Sequence, residues 1–286
     1  MTVTRRALSA ALLSIAAYGA GFISSSWNLP PGSWARAVYA RYYWGPPAEP
    51  GFRDASDREP VACIGYDAVI LIFGQSLAGN WVSTPYAPRH DVANFNLHDG
   101  QCYRARDPLL GPTGGRGTIW TRLADRLIEG KQYRNVLLVP VAAGGSSVAD
   151  WTTTYRHRID LAVQLLAQAG VSLTFALWQQ GESDRATTTE AYEAAFRQVL
   201  AAVPAPVFIA VSTLCNDHGP NEAVRRAQRN IATWSGALAG PDTDQIDTVA
   251  ERPDGCHLSD LGARRAADLW ATAIRNAHAP SATFPF

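Results

Sequence analysis

Six apolar residues, Ala68–Phe73, run straight into Gly74-Gln75-Ser76 within the stretch D-A-V-I-L-I-F-G-Q-S-L-A-G-N at 67–80. A serine hydroxyl becomes a nucleophile once a base removes its proton. An apolar run of this length, stopped by glycine, suits a strand buried on both faces of a sheet. Ser76 then stands just past the strand end, at the edge where open parallel sheets bind ligands. The competing reading is that Gln75 and Ser76 cap the helix that follows. Three further groups of polar residues end or follow apolar runs: Gly144-Gly145-Ser146-Ser147, Gln179-Gln180-Gly181-Glu182-Ser183-Asp184, and Asp254-Gly255-Cys256-His257. Between them they hold hydroxyl, amide, carboxylate and imidazole groups. If their strands are parallel, all of these loops meet at one edge and can form one site.

The elements that must position these loops have a regular order. The spacing predicts helices over Thr118–Glu129, Arg158–Ala169, Thr189–Ala202, Glu222–Ala239 and Ser259–His278. After the first strand, further strands are expected at Asn135–Val141, Val171–Trp178 and Pro206–Leu214, with a fifth at Ile246–Ala250. Strands alternating with helices imply a parallel sheet covered on both faces. Right-handed crossovers make this a three-layer α/β/α sandwich with a parallel, flavodoxin-like sheet. Trp81–Arg116, rich in Gly, Pro, Asn and Asp, reads as a long inserted loop, and Trp81, Tyr86 and Tyr103 are its candidates for lining a substrate.

Composition is that of a globular protein with a sizeable core: 286 residues, 47% hydrophobic, with 9 Trp and 10 Tyr. Lys and Arg total 25 against 25 Asp and Glu, so no charge imbalance points to nucleic acid. Arg5 and Arg6 precede the uncharged run Ala7–Ile23, the layout of an export signal. Residues 1–26 are expected to be a signal or a single-pass membrane anchor, and residues 27–66 an extension and linker. The main domain is expected over residues 67–280. Such a chain faces the periplasm or the extracytoplasmic side of a membrane, or is secreted after cleavage. Cys63, Cys102, Cys215 and Cys256 suit that oxidising setting, and four cysteines allow three full pairings. No cysteine pair has C-x-x-C spacing, and the six histidines share no metal-ligand spacing, so no metal is expected.

Taken in order, the four polar blocks resemble those of the SGNH (GDSL-type) hydrolase superfamily, and most of all its sialate O-acetylesterase and acetylxylan-esterase-like branch. G-Q-S at 74–76, G-G-S-S-V-A-D-W at 144–151, W-Q-Q-G-E-S-D at 178–184 and D-G-C-H at 254–257 carry the resemblance. Cys256 departs from the apolar residue often found there. The resemblance implies a serine esterase removing O-acetyl groups from a carbohydrate through a Ser76–His257–Asp254 triad, without a cofactor. It implies an oxyanion hole formed by the backbone N–H groups of Ser76 and Gly145 and the side-chain amide of Gln180. Imidazole titrates closest to neutrality, as a general base requires, and a carboxylate three residues earlier can hold its tautomer.

Gln75, Trp81, Trp151 and Glu182 complete the set expected to contact an acetylated glycan, although packing accounts equally well for the two tryptophans, and Glu182 and Asp184 suit a loop-fixing role. Cys215 and Cys256 should both lie at the catalytic edge. A Cys215–Cys256 disulfide bracing the histidine loop is therefore expected, leaving Cys63–Cys102 to tether the insertion. The alternatives are an acyltransferase, an esterase for a non-carbohydrate acyl ester, and a non-catalytic module that binds an envelope polysaccharide.

Overall fold

In the computed structural model, residues 51–215 and 219–278 are described. The expected leader at 1–26 and most of the extension that follows lie outside the described residues. The apolar run forms β2 (Ala68–Gly74), buried along its whole length. Its residues alternate between two cores. Ala68, Ile70 and Ile72 join one cluster, and Val69, Leu71 and Phe73 the other, as a strand with period two must when both faces are covered.

Around β2 the sheet has eight strands: β1 (Pro60–Val61), β2, β3 (Val92–Phe95), β4 (Cys102–Arg104), β5 (Val136–Pro140), β6 (Phe175–Gln179), β7 (Val207–Val211) and β8 (Ala237–Asp242). Their spatial order is β1-β4-β3-β5-β2-β6-β7-β8. β2 pairs in parallel with β5 (Ile70 opposite Leu138) and with β6 (Ile70 opposite Phe175). Only the pairings of β4, with β3 and with β1, are antiparallel. Taken alone, β2, β5, β6, β7 and β8 stand in the order second-first-third-fourth-fifth, the flavodoxin-like arrangement, whose ligand crevice lies beside the first strand.

Among the described residues, five helices cover the sheet. α1 (Trp120–Glu129) and α5 (Asp260–His278) close one face, where Trp120 and Trp270 meet edge to face at 5.7 Å. α2 (Arg156–Gln168), α3 (Thr189–Leu200) and α4 (Glu222–Ile231) close the other through Ile159, Phe196, Ile231 and their neighbours. Thr188 and Asn221 cap α3 and α4 with side-chain oxygens that accept Ala191 N–H and Ala223 N–H.

Three expectations are corrected. The helix expected over 222–239 stops at Ile231, and the chain re-enters the sheet as β8, whose Ala-Leu-Ala-Gly start lacks the β-branched residues that mark a strand. Ile246–Ala250 is not a strand. It follows a 3-10 turn at Thr243–Gln245, and its backbone serves side chains: the Ile246 carbonyl accepts from Arg252 Nε at 2.6 Å. The insertion is not structureless either, because it contributes β3 and β4, and bridges at Asn80–Gly114 and Val82–Gly117 close its base.

Residues 51–66 pack onto the domain. Phe52 N–H donates to Pro112 O at 2.9 Å, and Arg58 donates to the carbonyls of Arg106 and Pro108. Both expected disulfides are formed, Cys63–Cys102 and Cys215–Cys256. Among the described residues, no helix is long and apolar enough to cross a membrane.

Candidate active site

Gly74 ends β2 against β6, and a Cβ built there would lie 2.1 Å from Gln179 O, so only glycine lets the strands close at this point. Its φ of 126° then turns the chain, and Gln75 N–H donates to Gln179 O at 3.1 Å. Ser76 opens a 3-10 turn of three residues, Ser76–Ala78, and its side chain caps no helix. It is buried at 7% exposure, and its N–H donates to no other group among the described residues.

The last loop precedes α5. Asp254 Oδ2 lies 2.9 Å from His257 Nδ1, and Asp254 Oδ1 accepts the backbone N–H groups of Cys256 and His257 at 2.9 and 2.6 Å. Burial acts to raise the Asp254 pKa, but the hydrogen bonds from His257 and Cys256 outweigh it and hold the carboxyl below its ordinary range. An ionised carboxylate only accepts, so Nδ1 carries a proton, and in the neutral ring Nε2 is the nitrogen with the lone pair. Arg252 donates to Cys256 O and Leu214 O, and the Cys215–Cys256 bond joins the same two segments. The imidazole face lies against the indole of Trp81, with ring centroids 5.2 Å apart and planes inclined by 19°. Ser83 N–H donates to Leu258 O at 2.9 Å, which fixes the chain beyond Ser76 and Trp81 beside the histidine loop. Among the described residues, no hydrogen bond joins Ser76 Oγ to His257.

The second loop is held to the first by Ala143 N–H, which donates to Gly74 O at 3.0 Å. Gly144 N–H donates to Thr113 Oγ1 at 2.6 Å, while the exposed Gly145 keeps its N–H without an acceptor among the described residues.

The third loop is where sequence expectation and geometry part. Gln180 is fully buried: its amide donates to Asp184 Oδ2, to Ser146 O at 3.1 Å and to Gln75 Oε1 at 3.3 Å, and its carbonyl accepts from Tyr192 OH. Its two amide hydrogens, expected to serve an oxyanion, are engaged inside the protein. Gln75, expected to contact substrate, is buried too, and its carbonyl accepts Gly181 N–H and Ser183 N–H, tying the first loop to the third. Glu182 is buried with one oxygen accepting from Ser212 Oγ and the other without a partner among the described residues, and burial pushes it up to about 7. Trp151 is core: its indole donates to Ser146 Oγ at 2.8 Å and packs on Phe73 and Trp178. Asp184 fixes its loop by accepting Val148 N–H and Thr187 Oγ1–H.

A cavity of about 500 Å³ opens at this edge, lined by Asn80, Trp81, Gly115, Arg116, Asp254 and His257 among others; Ser76 is not among its lining residues. Arg116 was not singled out in the sequence, where it lies in a glycine-rich run without a motif. It is exposed and forms no ion pair among the described residues. Among those residues, no group of three or more His, Cys, Asp or Glu is arranged to hold a metal.

Residues 71–275 match the family described as carbohydrate esterase, sialic acid-specific acetylesterase. No curated protein matches the chain. Among solved structures, a protein from Arabidopsis thaliana superposes with a TM-score of 0.59 at 16% identity, covering 74% of this chain and 99% of that one. A structure described as a novel carbohydrate acetylesterase from Xanthomonas citri does so with a TM-score of 0.52 at 15% identity, over 73% of this chain and 56% of that one. At such identities these likenesses speak for the fold. The family match spans most of the chain and all four polar blocks, and by it the chain belongs to the sialic acid-specific acetylesterase family of SGNH-type carbohydrate esterases.

Proposed function

We propose that this enzyme removes O-acetyl groups from a glycan with Ser76 as nucleophile, His257 as base and Asp254 as the group that orients it. The observation that carries the reading is the Asp254–His257 pair: a 2.9 Å contact to Nδ1 at the wall of an open cavity, next to the segment that follows Ser76. His257 Nε2 takes the Ser76 proton as Oγ bonds to the acetyl carbon. The carbonyl π electrons move onto oxygen, where the N–H groups of Ser76 and Gly145 receive them. Each such donor supplies roughly 3–4 kcal/mol. The tetrahedral species collapses, the sugar oxygen leaves and takes the proton from His257, and acetyl-Ser76 remains. Water, deprotonated by the same imidazole, then releases acetate. Gln180 and Gln75 hold the loops together in this scheme and do not bind the oxyanion.

Arg116 supports a finer reading. A cation in the cavity wall that forms no ion pair among the described residues favours a glycan that carries a carboxylate. The two disulfides favour an oxidising compartment, in line with a leader at residues 1–26. Recovery of the full chain with membranes supports a tether, and recovery in the soluble extracytoplasmic fraction overturns it.

The test is acetate release from acetylated acidic glycans, acetylated neutral glycans and an aryl acetate, for the wild type and Ser76→Ala. Release from acidic glycans should exceed that from neutral ones, and should vanish in the variant. Full activity in Ser76→Ala overturns the mechanism, and equal release from both glycan types overturns the role of Arg116.

A further inference from the structure

We infer that Trp81 is a positioning residue for His257: its indole face sets the plane of the imidazole and steadies that ring as it takes up a proton. The inference rests on the reading of His257 as the base. A single hydrogen bond to Asp254 fixes one ring atom and leaves the imidazole free to tilt about that contact. Asp254 is 56% exposed and His257 26%, so water competes for the bond. The near-parallel contact with Trp81 removes the tilt and shields one face of the ring. Because it uses the face, the in-plane Nε2 stays available to a hydroxyl. An indole face also attracts a cation, so the contact strengthens as imidazole becomes imidazolium during attack.

A positioning residue must itself be held, and Trp81 is. Its Nε1 points to Thr113 Oγ1 at 3.5 Å, and that same oxygen accepts Gly144 N–H. A Cβ at Gly144 would lie 3.2 Å from Trp81 Nε1, so the glycine lets the indole edge lie against the second loop. The preceding Asn80 is fully buried, its N–H donating to Thr113 O and its side-chain amide to Leu109 O. Val82 and Gly117 exchange backbone hydrogen bonds on the other side. The indole therefore links the glycine loop to the histidine loop. The expectation that Trp81 lines the substrate is compatible with its place in the cavity wall, but one of its two faces is already taken by His257.

The test compares Trp81→Phe, Trp81→Leu and Trp81→Ala, with an aryl acetate too small to occupy a sugar subsite. Leu and Ala should lower kcat by roughly 10- to 30-fold with KM little changed, and Phe should restore most of the loss. In proton NMR of the full chain, the His257 ring resonances should move downfield when the indole is replaced by Leu, through loss of the ring current. Leu matching Phe in kcat, or a loss confined to KM, overturns the inference, as does an unmoved His257 resonance. His257→Ala separates the two levels. If that variant keeps its activity, the reading of the base is wrong. If it is inactive while Trp81→Leu is fully active, only the role of Trp81 fails.

Discussion

The third loop, Gln180–Asp184, and the last loop, Asp254–His257, both carry carboxylates near one edge of the sheet, yet their surroundings push those carboxylates in opposite directions. Glu182 and Asp184 are buried, and desolvation raises both; Asp254 is half exposed, and donated hydrogen bonds lower it. In the third loop nearly every polar atom is satisfied by another element: Gln180 by Tyr192, Asp184 and Ser146, and Glu182 by Ser212. In the last loop the imidazole faces a cavity. A buried network with its partners already in place is scaffold, and a carboxylate–imidazole pair at an open wall is where a substrate can be met.

The largest expected effect breaks this contrast at its open end. Asp254→Asn should lower kcat/KM by roughly 10³–10⁴-fold, because the imidazole loses its acceptor for Nδ1–H, while thermal unfolding barely shifts. Glu182→Gln should keep most of the activity. A large loss in the second variant and a small one in the first would reverse the assignment of scaffold and site.

The two disulfides sharpen the same contrast. Their sequence separations of 39 and 41 residues are nearly equal, so removing either pair should cost a similar 2–4 kcal/mol, estimated at about that size from loop entropy. Only Cys215→Ser/Cys256→Ser should also lower kcat, since Cys256 adjoins His257 and Cys63–Cys102 ties β4 to the segment before β2. Urea unfolding paired with turnover in both double variants checks this. Equal kcat in the two would show that the brace does not serve the histidine.

The smallest effect concerns pH. Burial raises Glu182 to about 7 and Asp107 to about 6. A carboxyl with a raised folded pKa binds its proton more tightly when folded, so unfolding free energy falls as pH rises from its unfolded value toward its folded one. Stability should therefore decline between about pH 4.5 and 7, and the decline should be shallower in Glu182→Gln. Asp254 has the opposite sign: its contribution is complete above the ordinary carboxylate range and is lost as pH falls through its lowered pKa. Urea midpoints across this range decide the matter, and a slope unchanged in Glu182→Gln would show that the residue does not titrate there.

How much could be read beforehand follows from where each signal resides. The alternation of Ala68–Phe73 and the glycine stops are local, so β2, its neighbours and the common edge were legible. The roles proposed for Ser76, Asp254 and His257 come from block order, and the short Asp254–His257 spacing is itself local. The partners of Gln180 and Gln75 were not legible because an amide's direction is set by residues far along the chain, here Tyr192, Ser146 and Gly181. Trp151 and Trp81 looked alike in the sequence. One is core because Phe73 and Trp178 enclose it, and the other lies at the cavity because it stacks on His257 in the cavity wall. β8 escaped notice because an alanine- and glycine-rich segment carries almost no strand signal without its neighbour β7.

The most direct test of the account is to trap the covalent intermediate. The full-length enzyme is mixed with an aryl acetate, quenched in acid during the first turnovers, digested and mapped by mass spectrometry. The account predicts an acetyl group on the peptide containing Ser76, located at its hydroxyl and absent from Ser76→Ala. An acetyl group stably held on another residue, or turnover without any acetyl-enzyme in His257→Ala and the wild type alike, would contradict it.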